Sequence, residues 1–265
     1  MINFSKPLVM GVVNLTPDSF YAASRLSNEA ALLERVEQML TDGAAILDLG
    51  GYSSRPGAAE VSLGDELERV VPAVCAVVRR FPEAIISVDT FRAEVAKAAV
   101  AEGAVIVNDI TAGEGDKQMW DTVAALQVPY FLMHKQGTPQ NMQKKPTYHD
   151  VTAEIIQYLS RKVYDCRQKG IKDVVVDPGF GFGKTIAHNY TLLKQLKAFQ
   201  MLNCPLLVGV SRKSMIYKLL EITPEKALPA TAALHLFALQ NGANILRVHD
   251  VKEAVDCVTL YEQLK

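Results

Sequence analysis

The stretch Ile85-Ile86-Ser87-Val88-Asp89-Thr90-Phe91-Arg92-Ala93-Glu94-Val95-Ala96-Lys97-Ala98-Ala99-Val100-Ala101-Glu102-Gly103-Ala104-Val105-Ile106-Val107-Asn108-Asp109 decides the fold. Two short β-branched runs, 85–89 and 105–109, flank an amphipathic segment from Glu94 to Glu102. Strands that are apolar on both faces and joined by a helix belong to a parallel sheet covered on both sides. Each run also ends in polar residues, Asp89 in one and Asn108-Asp109 in the other.

The same alternation continues outward in both directions. Further strands are expected at Leu8 to Asn14, Ile46 to Gly50, Pro129 to Met133, Val174 to Asp177, Leu206 to Val210 and Ile245 to Val248. Helical patterns occupy Glu29 to Leu40, Leu63 to Arg80, Val151 to Lys169, Asn189 to Ala198, Pro229 to Gln240 and Val251 to Leu264. With 265 residues shared among eight strands, each unit has about 33, close to the requirement of one strand and its crossover helix. The expected fold is therefore a single-domain α/β (β/α)8 TIM barrel spanning 1–265, with an open doubly wound sheet as the alternative.

Composition narrows the function. Lysines and arginines number 28 against 29 acidic residues, a formal charge of -1, so nothing global favours nucleic acid or an anionic membrane surface. No apolar run approaches the ~18 residues of a membrane span. The stretch Met1 to Lys6 lacks the pattern of a signal peptide. Cys75, Cys166, Cys204 and Cys257 are scattered, the usage of reduced thiols. A cytoplasmic enzyme is the expectation.

In such a barrel, chemistry gathers where strands end. Here those ends carry Asn14, Asp89, Asn108-Asp109, His134, Asp177, Ser211-Arg212-Lys213 and Arg247 with His249-Asp250. Carboxylates and an amide on three strands (Asp89, Asn108, Asp177) match the adjacent N-H donors of a flat amino-amide heterocycle. The plainer alternative is that they cap the following helices. Cations at 211–214 and 247–249 form an anion-binding sector or a solvated basic edge. Asp177-Pro178-Gly179-Phe180-Gly181-Phe182-Gly183-Lys184-Thr185 invites a phosphate-loop reading but has Pro178 where that loop needs its first glycine. The scattered histidines offer no H-E-x-x-H pair, and no G-x-S-x-G elbow is present. A hard cation such as Mg²⁺ could be held by Asn14 and phosphates of a substrate.

These motifs, with Met10 to Phe20, Gly50 to Gly57 and Met133-His134 with Met142-Gln143, resemble the dihydropteroate synthases over nearly the whole chain. The resemblance implies the barrel fold and condensation of 6-hydroxymethyl-7,8-dihydropterin diphosphate with 4-aminobenzoate in folate synthesis, a sulfonamide target. It implies that Asp89, Asn108, Asp177 and Lys213 hold the pterin, with Met133 and Phe182 lining its slot. Asn14 would help position Mg²⁺, Arg55, Arg247 and His249 would bind the diphosphate, and Phe20, Ser54, Pro56 and Ser214 would surround the aminobenzoate. Asp89, Lys213 and Arg55 would be the catalytic residues. A homodimer is also implied. Two departures stand out: Tyr52-Ser53-Ser54 replaces the family's usual Glu-Ser-Thr, and Tyr21-Ala22-Ala23-Ser24 replaces Ser-Asp-Gly-Gly. The alternatives are a pterin-dependent methyltransferase domain and a non-catalytic pterin-binding paralogue.

Overall fold

Successive side chains of a strand point to opposite faces, so a strand apolar throughout needs cover on both sides. The eight runs obtain it by closing on themselves within a ring of helices. The computed structural model describes residues 3–15, 25–52, 60–137, 142 and 146–265, with 25–28 described by backbone alone. Its strands are β1 (Leu8–Asn14), β2 (Ile46–Gly50), β3 (Ile86–Asp89), β4 (Ile106–Asp109), β5 (Tyr130–Met133), β6 (Val174–Asp177), β7 (Leu207–Val208) and β8 (Ile245–Val248). All neighbouring strands pair in parallel, in the order β6-β5-β4-β3-β2-β1-β8-β7. A parallel bridge between Val176 and Leu206 joins the two ends. The result is the expected (β/α)8 barrel.

The barrel interior is closed at its N-terminal end by Met10, Ile46, Ile106, Phe131, Val175, Leu207 and Ile245, with Ile85 packed against them. Every strand run thus contributes one large apolar side chain to a plug. By the two-residue period, the next side chains on the same face are Val12, Asp48, Asn108, Met133, Asp177, Gly209 and Arg247, with Ser87 and then Asp89 following Ile85. An apolar floor and a largely polar ceiling therefore follow from alternation alone.

On the outer faces, residues such as Leu47, Val88, Leu132 and Val176 join a larger core with Val36, Val74, Ala96 and Leu159 of the helices. Full burial of each valine or leucine among them contributes ~1.5–3 kcal/mol. The helices are α1 (Arg25–Thr41), α2 (Leu63–Arg80), α3 (Ala93–Ala101), α4 (Met119–Leu126), α5 (Val151–Gln168), α6 (Ile186–Lys194), α7 (Ser214–Tyr217), α8 (Leu228–Gln240) and α9 (Val251–Gln263). No described helix is long and apolar enough to cross a membrane.

The differences from the sequence reading have physical causes. Pro129 has no N-H, so only its carbonyl joins the ladder, accepting from Val107 at 3.0 Å, and β5 begins at Tyr130. Strands β3 and β4 likewise begin one residue later than expected. The run Leu206 to Val210 yields only the two residues of β7. The pattern Asn189 to Ala198 divides into α6 and a 3-10 turn, Leu196–Leu202. Helix α4 was not anticipated; its eight residues are too short to show periodicity.

Candidate active site

Four of the ceiling residues form one connected charge cluster. Arg247 Nε donates to Asp48 Oδ2 at 2.7 Å, and its terminal amine donates to Asp89 Oδ2 at 2.6 Å. Asn108 Nδ2 donates to the same Asp48 oxygen at 3.0 Å. Strands β2, β3, β4 and β8 are thereby tied together at the C-terminal end. Burial alone disfavours the guanidinium charge, but Asp48 and Asp89 more than reverse this and hold the Arg247 pKa above its ordinary value. Burial raises the Asp89 pKa and the Arg247 charge pulls it partly back.

The polar strand ends divide between capping and site roles. Asp109 is a turn former: it accepts from Thr111 N and Oγ1, Gly113 N and the Tyr130 hydroxyl. Thr90 performs that task beside Asp89, accepting from Arg92 N and donating to Glu66 at 2.6 Å. Asp89 and Asn108 carry their polar atoms into the pocket cluster instead.

A second cluster forms across β6 and β7. Asp177 accepts the Gly179 N-H at 2.7 Å, and burial raises its pKa against the opposing charge of Lys213. Lys213 Nζ donates to Phe180 O at 2.5 Å and lies 4.8 Å from the centre of the Phe182 ring. Burial lowers the Lys213 pKa to about 8, with Asp177 resisting. Met133 is buried beside the backbone of Gly179. Lys213 reaches this position because Arg212 adopts φ +50 and is held by Asp250 through two bonds of 2.8 Å. Arg212 is consequently part of the scaffold, and the basic edge predicted at 211–214 divides into a structural and a site cation.

His249 is exposed at the rim. Ser211 Oγ accepts the His249 backbone N-H at 3.2 Å and meets its Nδ1 at 3.1 Å. Donation by Ser211 to Nδ1 leaves Nε2 as the donor of the ring. Ser214 begins α7 directly after Lys213, and Asn14 stands exposed at the end of β1. Phe20, Ser54, Arg55, Pro56 and Gln143 lie outside the described residues. At the root of the second loop, Tyr52 packs edge-on against Phe91 at 5.0 Å with Arg92 5.5 Å from its ring. An aromatic contact therefore stands where the family's usual Glu-Ser-Thr pattern has a carboxylate, the departure already visible in the sequence.

Asp48 was missed by sequence reasoning. Its signal was available: a carboxylate at the middle of the buried run Ile46-Leu47-Asp48-Leu49-Gly50 requires a cationic partner. A separate cavity of about 450 Å³, lined by Phe4, Pro7, Asn203, Asn244 and Lys265, opens at the opposite, N-terminal end of the strands. That end of a barrel serves stability, so the strand-end clusters, and not this cavity, are the candidate site.

A family model described as pterin binding enzyme matches residues 10–249. The dihydropteroate synthase of Escherichia coli (strain K12) is 44% identical over 263 residues, covering 98% of this chain and 93% of the relative. Yersinia pestis dihydropteroate synthase, solved as a sulfonamide drug complex, superposes with a TM-score of 0.93 at 42% identity, over 99% of this chain and 96% of that one. The Xanthomonas albilineans enzyme in complex with 7,8-dihydropteroate gives 0.87 at 36% identity, over 99% and 94% of the two chains. With the barrel, the acidic pocket and these likenesses in agreement, the chain belongs to the pterin-binding enzymes and, among them, to the dihydropteroate synthases.

Proposed function

We propose that residues 1–265 form one pterin-binding domain that joins 6-hydroxymethyl-7,8-dihydropterin diphosphate to 4-aminobenzoate, giving 7,8-dihydropteroate and diphosphate. The observation that carries this reading is the convergence of Asp89, Asn108, Asp177, Lys213 and Arg247 at one end of the barrel. Asp177 accepts from the pterin's adjacent N-H groups, Asn108 adds an amide contact, and Met133 and Phe182 enclose the flat ring. Lys213, hydrogen-bonded to Phe180 O, borders the ring with its charge.

An arylamine is a weak nucleophile, so the reaction gains from breaking the carbon-oxygen bond first. The electron pair leaves with diphosphate, a pterin-methylene cation remains, and the amine nitrogen closes the new carbon-nitrogen bond as its proton passes to solvent. Asp89 faces the developing positive charge. Arg247, His249 and Arg55 receive the departing anion, while Phe20, Ser54, Pro56 and Ser214 surround the aminobenzoate. Fixed charges in a pocket with little water act more strongly than they would in solution.

Asn14 fits Mg²⁺ as a single hard, neutral oxygen donor at the rim. No group of three or more His, Cys, Asp or Glu side chains suited to a metal is present among the described residues, so the cation would take its other ligands from water and diphosphate. Bound there, Mg²⁺ would neutralise charge on the leaving group. A homodimer and a cytoplasmic location complete the proposal, the former open to sedimentation measurement.

The deciding experiment supplies the purified chain with both substrates and Mg²⁺ and follows 7,8-dihydropteroate by chromatography. Pterin binding without product would indicate the non-catalytic alternative. Pterin binding with methyl transfer in place of condensation would indicate the methyltransferase alternative.

A further inference from the structure

The glycine-rich segment after β6 folds around its own lysine. Gly179 and Gly183 adopt φ +72 and +64, and a Cβ on either would run into the carbonyl of His134 or Gln136. The segment is therefore pressed onto the residues that follow β5. Lys184 is 2% exposed, in the floor of this turn. Its ammonium donates to Gly179 O at 2.8 Å and Phe182 O at 3.1 Å, and meets His134 Nδ1 at 3.0 Å. Three acceptors thus match the three N-H bonds of an ammonium, the form favoured below about pH 7 because burial lowers the Lys184 pKa to about 7 while Asp177 pulls it back up. Burial and the Lys184 charge hold the His134 pKa at about 3, so its neutral ring can accept at Nδ1. Tyr148 adds a hydroxyl bond to Gly183 O at 2.9 Å.

The upper side of the same turn faces the site. The Gly179 N-H holds Asp177, while Phe180 O and the Phe182 ring hold Lys213. Lys184 makes none of the reading's expected substrate contacts, yet it grips the carbonyls of two of these residues from beneath. We propose that Lys184 is a positioning residue of the pterin pocket: its buried ammonium pins the 179–183 turn to His134 and thereby sets where Asp177, Phe182 and Lys213 meet the substrate. The side chain of the failed phosphate-loop motif consequently acts on the ligand through the backbone.

This inference rests on the pterin reading, and the test separates the two. Titration calorimetry with 6-hydroxymethyl-7,8-dihydropterin diphosphate and Mg²⁺ compares the intact chain with Lys184→Met, which keeps the length of the side chain and removes its donors. Steady-state KM values for both substrates are measured in parallel. The expected result is pterin affinity weakened about 10-fold or more at unchanged stoichiometry, because buried acceptors are left unmet and the turn shifts. The KM for 4-aminobenzoate should stay within about twofold, since the Lys184 ammonium bonds to Gly179, Phe182 and His134, none of which is proposed to surround the aminobenzoate. A purely structural role would reduce the folded fraction, and hence stoichiometry, while leaving affinity and the KM contrast untouched; that result overturns the proposal. If Lys184→Met does not fold, Tyr148→Phe decides, as it removes only one hydroxyl from the same turn: a pterin KM raised about twofold or more supports the inference, and an unchanged one overturns it. Failure of the intact chain to bind the pterin would refute the functional reading itself.

Discussion

Asp89, Asn108, Asp177, Lys213 and Arg247 were legible because each interrupts or follows an apolar run at a strand end, where a barrel places its chemistry. Asp48 was not, because it lies inside such a run and its significance depends on Arg247, 199 positions away. Removing one partner of a buried ion pair costs about 3–5 kcal/mol, and because Arg247 retains some solvent contact Asp48→Ala should destabilise the fold by about 3 kcal/mol. Asp48→Asn retains an acceptor for Asn108 and Arg247 and should cost less. Urea denaturation measures both; a loss below about 1 kcal/mol for Asp48→Ala would mean that Asp89 alone secures Arg247. Lys213 yields a pH prediction with two opposite signs. Its pKa is lowered to about 8, so pterin affinity should fall as pH rises through that value and the cation is lost. Stability should move the other way: from about 8 to the ordinary 10.5 the unfolded chain binds this proton more strongly, so its contribution to folding increases with pH. Calorimetry across this range should show weaker binding without a fall in the Lys213 contribution to stability, and Lys213→Arg, which remains charged, should flatten the binding limb.

At the scale of elements, β1, β2, β6, β8 and α2 occupy the residues that their patterns indicate, because short apolar runs ending in polar or glycine residues and an 18-residue amphipathic stretch are each bounded clearly in the sequence. Strand β7 was less legible, since its length depends on pairing with β8 at Leu207 and Val208 rather than on its apolar residues. Contacts between elements were still harder to read. Glu66 of α2 looks like a helix-surface acid but is fully buried, accepting from Thr90 Oγ1 at 2.6 Å and from Arg92 at 2.5 Å. Arg92 also donates to Val61 O at 2.7 Å. One carboxylate therefore fixes α2 against the turn immediately after Asp89. Glu66→Ala should cost about 3 kcal/mol, at the lower end for a broken buried pair because Arg92 retains some solvent contact. Its thermal midpoint should fall by roughly 6–12 °C, using ~2–4 °C per kcal/mol for a chain of this size class. Scanning calorimetry checks the shift, and a change within about 1 °C would place the strength of this junction in the apolar packing around Val70 and Val74.

For the whole molecule, the location of the seam matters more than the number of strands. Strands β1 and β2 share five register pairs, whereas β6 meets the β7 segment at the Val176–Leu206 bridge, supported by Val176 N donating to Pro205 O at 3.0 Å. Barrel closure could be expected from eight units, but the weak junction could not, because it arises from a two-residue β7. The candidate site straddles that junction: Asp177 ends β6, Lys213 follows β7, and the bond from Lys213 to Phe180 O crosses between them. A ligand held by both side chains adds a further connection across the seam, whereas a ligand held on one side does not. Openings that separate β6 from β7 must then release the ligand, and their free energy rises by about 2.7 kcal/mol when the ligand is present at 100 times its Kd. Hydrogen exchange at the Val176 amide should consequently slow by up to about 100-fold on saturation with the pterin substrate. Amides exposed by local fraying, such as those in the last turn of α9, should not respond because their opening leaves the site intact. Exchange measured by NMR with and without the pterin tests this, and equal slowing at Val176 and the end of α9, or none at Val176, would show that binding does not span the seam.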